Sequence, residues 1–291
     1  MQNNTNRSRP QEYQITMAFS MRPALRRFAI RLLKTFGDRD ISIRHHWVDG
    51  KIRLNLYRHR GYWWEGRRRE QEALEAVSRI VKPGDNVFEL GGHIGYITML
   101  LSKLAGPKGR VVVFEPSPDN LKYLRSNVVG LSNTEVVDKA VSSETGQVTL
   151  YEEGLSGQNN SIVSDYEIFD AVRSNSGLQI EVKPRQVACT TVDDEASQRA
   201  MAPSFMKIDI EGAELLALQG ALRTLDEARP VIMIELSQNV QACLKLFQEH
   251  GYLLVAPEGT PVEFCSRLAN VYAFALPKER SEALREAFPN R

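Results

Sequence analysis

Beyond residue 82, short apolar runs alternate with longer amphipathic segments. The short runs have the length of strands and fall at 86–90, 110–115, 135–138, 205–210, 231–236, 252–256 and 271–276. The longer segments have helical spacing and fall at 94–105, 118–130, 213–225 and 240–250. This alternation predicts an α/β fold with a doubly wound, mostly parallel sheet. Little helix separates the last two runs, so we expect the final strand to be antiparallel.

A Gly-, Ser- and Asn-rich segment at 152–185 interrupts the alternation. It lies between two further strand-like runs, 147–151 and 186–191. Insertions of this length in compact domains are usually functional or disordered, and we expect a lid over a substrate. Within it, Asn160 and Ser161 offer amide and hydroxyl groups that suit a polyol, although the same residues equally suit a turn.

Positive charge is concentrated in the amino-terminal part of the chain. Residues 1–82 carry 18 Lys and Arg against 8 Asp and Glu, whereas residues 83–291 carry 19 against 28. We divide the chain into a basic extension, residues 1–66, and a main domain, residues 67–291, which contains the insertion at 152–185. We expect the extension to hold a disordered tail, an amphipathic helix and a short strand. The first dozen residues, rich in Asn, Arg and Gln, have the composition of a disordered tail.

A basic amphipathic helix is predicted at 17–36. Its apolar residues recur at helical spacing and are Leu25, Phe28, Ala29, Leu32, Leu33 and Phe36. Such a helix could lie on an anionic membrane surface or contact nucleic acid. Docking of its apolar face on the main domain is the simpler interpretation.

Size and composition are those of an ordinary water-soluble enzyme or binding protein. No apolar stretch approaches the roughly 20 residues that a membrane-spanning helix needs, and we find no secretory signal. The three cysteines, Cys189, Cys243 and Cys265, lack metal-ligand spacing. They suit a reducing compartment, so we expect a cytoplasmic protein.

The segment 89–95, Glu-Leu-Gly-Gly-His-Ile-Gly, predicts a strand end, a glycine turn and a helix start. Its glycines do not have the spacing of a dinucleotide fingerprint. Glu89 would repel a pyrophosphate at the helix terminus but attract a cationic amino or sulfonium group. The motif thus favours S-adenosylmethionine over NAD. Glu115 follows Gly95 by 20 residues, at the end of the next strand, where a ribose would lie.

Four successive blocks resemble the FkbM-type methyltransferases. They are the motif at 89–96, Phe-Glu-Pro-Ser-Pro at 114–118, Lys-Ala-Val-Ser at 139–142, and Lys-Ile-Asp-Ile-Glu-Gly-Ala-Glu at 207–214. The resemblance runs from about residue 83 to about residue 235. It implies a Rossmann-like, seven-stranded sheet with the last strand reversed, S-adenosylmethionine as cofactor, and O-methylation of sugar or polyketide hydroxyls.

The resemblance also assigns roles to individual residues. Glu89 and the glycines Gly91, Gly92 and Gly95 would surround the methionine part of the cofactor. Glu115 would accept both ribose hydroxyls, and Asp138 would meet the adenine amino group. The family commonly has Asp at position 89 and Ala-Asn at 92–93, so His93 is a departure. We consider it either a catalytic base or a packed, capping residue.

Methyl transfer to a hydroxyl needs alignment and a group that takes the proton. Asp209 is our first candidate because it ends the fourth strand at the ligand-binding edge. Glu235 shares that edge, and Glu211 either joins the catalytic group or stabilises the next helix. A divalent metal held by these acids is a further hypothesis, although no His or Cys spacing supports it. Tyr96 or Tyr166 would provide an aromatic platform for the acceptor, and Tyr96, one residue past the glycine turn, is the better placed of the two.

Two other functions stay open from the sequence. The basic amino-terminal segment would recruit RNA if the chain were a nucleic-acid methyltransferase, but the acidic remainder argues against this. A non-catalytic adaptor would use residues 17–36 for peripheral membrane contact. The sequence does not fix the oligomeric state.

Overall fold

A computed structural model describes residues 35, 39–154, 156–164, 166, 181–262 and 271–288. All of the helix predicted at 17–36 except Thr35 lies outside the described residues, as does much of the predicted lid.

Seven strands form the main sheet. They are β3 (Asn86–Leu90), β4 (Arg110–Phe114), β5 (Thr134–Val137), β9 (Phe205–Ile208), β10 (Val231–Leu236), β11 (Tyr252–Val255) and β12 (Val271–Pro277). Their spatial order is β11-β12-β10-β9-β3-β4-β5. The last strand, β12, pairs antiparallel with both β10 and β11, whereas the β10, β9, β3, β4 and β5 pairs are parallel. The predicted sheet and its reversed final strand are confirmed.

Side chains of each buried strand alternate between two apolar cores. Val87 packs in one core and Phe88 in the other. The helices Gln71–Ile80 and Tyr96–Ala105 cover the first face, and Pro118–Val128 packs beside them against Val113. The second face is covered by Glu214–Gln219, Leu222–Glu227 and Val240–Glu249. The sheet is therefore doubly wound, as predicted.

One predicted helix, 213–225, is two helices. Its apolar pattern continues across Gly220, but the helix is interrupted there and divides into Glu214–Gln219 and Leu222–Glu227. A Cβ at Gly220 would lie 2.3 Å from the backbone oxygen of Ser142. The glycine thus allows a close approach of a neighbouring segment, and helical periodicity alone does not reveal this.

A second sheet has three strands, β6 (Ala140–Val141), β7 (Gly146–Glu153) and β8 (Val182–Thr190). Strand β8 pairs parallel with β6 and antiparallel with β7. The strand-like runs at 147–151 and 186–191 belong to this sheet and do not extend the main one. It brings Val141 and Leu150 beside the carboxyl ends of the main strands.

Residues 40–66 pack on the main domain. Strands β1 (Asp40–Arg44) and β2 (Lys51–Asn55) form a hairpin whose Ile52 and Leu54 are fully buried in the first core. Asn127 accepts from the backbone N–H of Arg53 at 2.7 Å and donates to its carbonyl at 2.9 Å. The described part of the basic extension thus shares the core of the main domain.

The remaining short helices are Arg60–Glu65, Val192–Gln198 and Ser281–Leu284, with 3-10 turns at Gly66–Arg68, Lys278–Arg280 and Arg285–Ala287. Across the ranges that the structure places, no helix has both the length and the apolar character needed to cross a bilayer.

Candidate functional site

A cleft of about 290 Å³ opens at the carboxyl ends of the central strands. Open α/β sheets bind ligands at this edge. The candidate residues that line it are Glu89, Gly91, Gly92, His93, Tyr96, Glu115, Asn160, Asp209, Glu211 and Glu235. The fold therefore brings together most of the side chains singled out in the sequence.

Three candidates lie outside the lining of the cleft. Gly95 begins the helix Tyr96–Ala105, with its backbone in the left-handed region. Asp138 is exposed and pairs with Arg125 at 3.2 Å, so its carboxylate is directed to the surface. Ser161 is buried, and its Oγ donates to the carbonyl of Glu211.

Glu89 is a buried acid that lacks hydrogen-bond donors within the part of the chain that the structure describes. It is 0% exposed, and neither carboxylate oxygen has a hydrogen-bond partner among the residues described. Burial raises its pKa to about 7, against the opposing charge of Lys207. A buried carboxylate left without donors is costly. The site is therefore suited to a ligand that brings a positive charge or N–H donors to Glu89.

Glu115 is fixed by three donors. Its Oε2 accepts from the backbone N–H of His93 at 2.8 Å, and its Oε1 accepts from Ser117 N at 2.9 Å and Asn120 Nδ2 at 3.3 Å. Burial raises the pKa of Glu115 to about 7, although these hydrogen bonds favour the ionised form. The carboxylate is thus held in one orientation toward the cleft.

The glycines of the turn allow neighbouring parts of the protein to pack closely against it. A Cβ at Gly91 would lie 1.9 Å from the backbone oxygen of Asp209, and one at Gly92 would lie 2.3 Å from a methyl group of Val113. At Gly95 a Cβ would meet Leu124 at 2.9 Å. The turn is therefore pressed against its neighbours, which places Gly91 and Gly92 at the wall of the cleft.

Lys207 is a site residue that the sequence interpretation missed. Its Nζ donates to the carbonyl of Gly91 at 2.7 Å and lies 3.2 Å from Asp209 and 4.0 Å from Glu89. Although burial opposes the charge, these two acids raise the pKa of Lys207. The available signal was a lysine inside the apolar run 205–208, because a buried lysine requires partners.

The carboxylate oxygens of Asp209, Glu211 and Glu235 lie within 4.8 Å of one another. Despite its burial, Asp209 has a lowered pKa because of Lys207 and the hydroxyl of Tyr272, which donates to it at 2.9 Å. Burial and the charge of Asp209 raise the pKa of Glu211 and Glu235 well above the usual range. Asp209 thus carries the negative charge of this cluster.

Three carboxylates are oxygen ligands of the kind that hard cations bind. Here Lys207 already supplies a positive charge to Asp209. The metal hypothesis therefore gains no support and stays a prediction.

Glu211 and Asn160 are engaged by neighbouring segments. The hydroxyl of Tyr166 donates to Glu211 Oε2, and the backbone of Glu211 is left-handed with φ of 54°. Asn160 Oδ1 accepts from the backbone N–H of Glu153, the last residue of β7, at 2.9 Å. Both residues therefore form hydrogen bonds within the protein beside the cleft.

His93 contacts the amino-terminal part of the chain. Its Nδ1 lies 2.8 Å from the hydroxyl of Tyr62, and the two rings stack with 19° between their planes. Burial lowers the pKa of His93 well below the usual range, so the ring is neutral. Its Nε2 has no hydrogen-bond partner in the described ranges. The hydroxyl of Tyr96, also in the lining, is likewise buried without one.

Four further residues line the cleft: Tyr62, Arg69, Glu70 and Tyr272. The sequence interpretation gave the last three no role in binding cofactor or acceptor. The guanidinium of Arg69 lies 4.4 Å from the ring centroid of Tyr62 and 3.1 Å from Glu70. Within a basic run, such a pair cannot be distinguished from surface charges by sequence alone.

Residues 89–254, more than half of the chain, match the family model of the methyltransferase FkbM domain. The chain belongs to the FkbM methyltransferase family. The predicted family is confirmed. Four residues of the cleft lining lie outside the matched range: Tyr62, Arg69, Glu70 and Tyr272.

Among curated proteins, the chain is similar to the hexuronic acid methyltransferase AglP of Haloferax volcanii. The two are 26% identical over 168 residues, which cover 57% of this chain and 62% of AglP. The chain thus spans less than two thirds of that relative.

Among solved structures, the chain is similar to the methyltransferase FkbM of Methylobacillus flagellatus, at 21% identity and a TM-score of 0.43, covering 66% of this chain and 43% of that one. A fibrillarin of Aeropyrum pernix, solved with S-adenosylmethionine, is 12% identical, with a TM-score of 0.41. The match covers 70% of this chain and 73% of the fibrillarin.

Proposed function

We propose that this FkbM-family chain transfers a methyl group from S-adenosylmethionine to a hydroxyl of a sugar or a polyketide-like small molecule. The observation that carries the proposal is Glu89, a fully buried carboxylate beside the glycine turn whose two oxygens accept no hydrogen bond from the described residues. The family supports methyl transfer, and a relative named for hexuronic acid supports a sugar acceptor.

The cleft residues fit this methyl donor. Glu89 would accept N–H donors of the amino group and balance the positive charge. Glu115 is oriented by His93 N and Ser117 N to accept the ribose hydroxyls. When bound, S-adenosylmethionine supplies an electrophilic methyl group. The adenine contact first assigned to Asp138 is better assigned to the apolar lining residues Val141 and Leu150.

Asp209 would take the proton of the acceptor hydroxyl. It is ionised beside Lys207 and faces the cleft next to Glu235. A lowered pKa makes Asp209 a weak base, so proton transfer would come late, as the new C–O bond forms and the hydroxyl becomes acidic. Its negative charge also stabilises the positive charge that develops on the acceptor oxygen. Most of the rate would come from alignment of the two reactants.

His93 would serve as a positioning residue. Its neutral ring is held by Tyr62, and its backbone N–H orients Glu115. A base role for His93 is less favoured because burial lowers its pKa well below the usual range.

The two alternative functions, an RNA methyltransferase and a non-catalytic adaptor, have less support. Acids outnumber bases in the lining of the cleft, which disfavours a polyanion such as RNA. The surface that the adaptor hypothesis requires, residues 17–36, lies outside the described ranges.

The test is to incubate the purified protein with methyl-labelled S-adenosylmethionine and separate pools of cell glycans, lipids and RNA. We expect label in the glycan pool. We also expect Asp209→Asn to lower labelling by about 100-fold, a typical effect of losing a general base. The affinity of the Asp209→Asn variant for S-adenosylhomocysteine should change little. Label in RNA alone, or in no pool, would refute the proposal.

A further inference from the structure

Three residues form one wall of the cleft, which we call the amino-terminal wall: Tyr62, Arg69 and Glu70. The wall faces the carboxyl ends of β9 and β10 and the amino end of the antiparallel strand β12, where Asp209, Glu235 and Tyr272 complete the lining. It therefore borders the part of the cleft that holds the candidate base.

The Arg69–Glu70 pair is rigidly held. Arg69 Nη2 lies 3.1 Å from Glu70 Oε1, and the two side chains are only 17% and 15% exposed. The guanidinium stacks on the ring of Tyr62 at 4.4 Å. Two charges fixed in this way are prepared to receive a ligand in one orientation.

Each member of the pair keeps one unused polar atom. Arg69 Nε, a donor, and Glu70 Oε2, an acceptor, are buried with no hydrogen-bond partner in the ranges that the structure describes. Glu70 also adopts a left-handed backbone, φ 54° and ψ 24°, which is strained for a residue with a side chain. Strain and unused polar atoms together are typical of a ligand-binding position.

One donor beside one acceptor matches a group that both accepts and donates hydrogen bonds. Hydroxyls have this property, whereas a carboxylate only accepts. We propose that Arg69 and Glu70 bind neighbouring hydroxyls of a neutral sugar ring and so position the hydroxyl that is methylated. The inference deepens the proposed function and rests on it.

Charge argues against a uronic acid in this subsite. A sugar carboxylate would satisfy Arg69 but would lie against Glu70, whose position is fixed by the pair. Asp209 contributes a further negative charge across the cleft. The acceptor inferred here is therefore a neutral polyol, unlike the hexuronic acid for which the relative AglP is named.

The test measures kinetics with methyl glycosides of glucose, galactose and mannose and of the corresponding uronic acids, using methyl-labelled S-adenosylmethionine. We expect the wild-type chain to prefer the neutral sugars by at least about tenfold in kcat/KM, since a mismatched buried polar contact discriminates strongly. Preference for the uronic acids would overturn the inference.

Two conservative variants test the residues. Arg69→Lys keeps the charge but removes Nε–H, and Glu70→Gln keeps the shape but removes the charge. We expect both to raise KM for the neutral sugars about tenfold. In Glu70→Gln the preference for neutral sugars over uronic acids should also shrink, a change that a merely structural role would not produce.

Glu65→Gln is the matched control. Glu65 also pairs with Arg69 but is 53% exposed, so its loss should leave KM unchanged. Affinity for S-adenosylhomocysteine, unchanged in all three variants, would show that the fold is intact. Labelled neutral sugars with unaltered KM in both Arg69→Lys and Glu70→Gln would refute this inference alone. An absence of label in every sugar would refute the proposed function with it.

Discussion

Lys207 and Glu89 face one another on adjacent parallel strands, as register partners with Nζ 4.0 Å from Oε1. The same ammonium lies 3.2 Å from Asp209 and donates to the carbonyl of Gly91. One buried cation therefore serves both the acid proposed to meet the methyl donor and the acid proposed to act as base. It also holds the glycine turn between them.

Lys207→Met should be strongly destabilising. Removal of one partner leaves Glu89 and Asp209 buried without a cation, which typically costs about 3–5 kcal/mol. The loss of unfolding free energy should be largest near pH 8. It should be smaller near pH 5, because at the lower pH the buried acids can bind protons and become neutral. Urea denaturation at both pH values measures it. Lys245→Met, at a side chain that is 70% exposed, is the control and should cost less than about 1 kcal/mol.

Affinity for S-adenosylmethionine should rise with pH between about 5.5 and 7.5. Burial raises the pKa of Glu89 to about 7, and only its ionised form attracts the cationic amino and sulfonium groups. Below that pKa the ionised fraction grows about tenfold per pH unit, and above it the affinity levels off. Calorimetry across this range measures the slope. In Glu89→Gln the slope should flatten, and an undiminished slope would show that another group is responsible.

Glu115 and Asp138 should differ sharply in their effect on cofactor binding. Glu115 faces the cleft and is fixed by three donors, whereas Asp138 pairs with Arg125 at the surface. We expect Glu115→Ala to weaken binding of S-adenosylhomocysteine at least about tenfold, as for loss of hydrogen bonds to a charged group. Asp138→Ala should change it less than about twofold. Equal losses would place Asp138 in the site after all.

Gly91→Ala and Gly50→Ala form a matched pair. Both glycines have a left-handed backbone, with φ of 86° and 89°, but a Cβ would lie 1.9 Å from the Asp209 carbonyl at Gly91 and would meet nothing within 4 Å at Gly50. Gly50→Ala should cost about 1–2 kcal/mol from backbone strain alone. Gly91→Ala should cost clearly more and also weaken cofactor binding. Thermal melts with and without S-adenosylhomocysteine measure both, and equal costs would contradict the close approach.

The sheet could be predicted from sequence because buried parallel strands are continuous apolar runs, such as 111–114. The break at Gly220 could not be predicted from the apolar pattern, which continues across it, and Ser142, which packs against this glycine, is remote in sequence. Residues 147–151 and 186–191 were recognised as strands, but pairing partners depend on tertiary contacts. They therefore could not be assigned to a separate sheet.

The site, like the sheet, was predictable only where it follows from the order of the strands. Glu89, Glu115 and Asp209 end successive strands, so strand order alone brings them together. Arg69 and Glu70 directly precede the helix Gln71–Ile80, which packs on the first core. Where this helix docks relative to the cleft is set by tertiary contacts that no local pattern encodes. Asp138 also ends a strand, yet Arg125 draws its carboxylate to the surface.

The most direct test of the account is a calorimetric comparison of ligands on the purified, full-length chain at pH 7.5. Glu89 should select a positively charged methyl donor over a phosphate-bridged coenzyme. We expect S-adenosylmethionine and S-adenosylhomocysteine to bind, with NAD and ATP giving no measurable heat, and Glu89→Gln to weaken the first two. Tight binding of NAD or ATP, without binding of the sulfonium compound, would contradict the account.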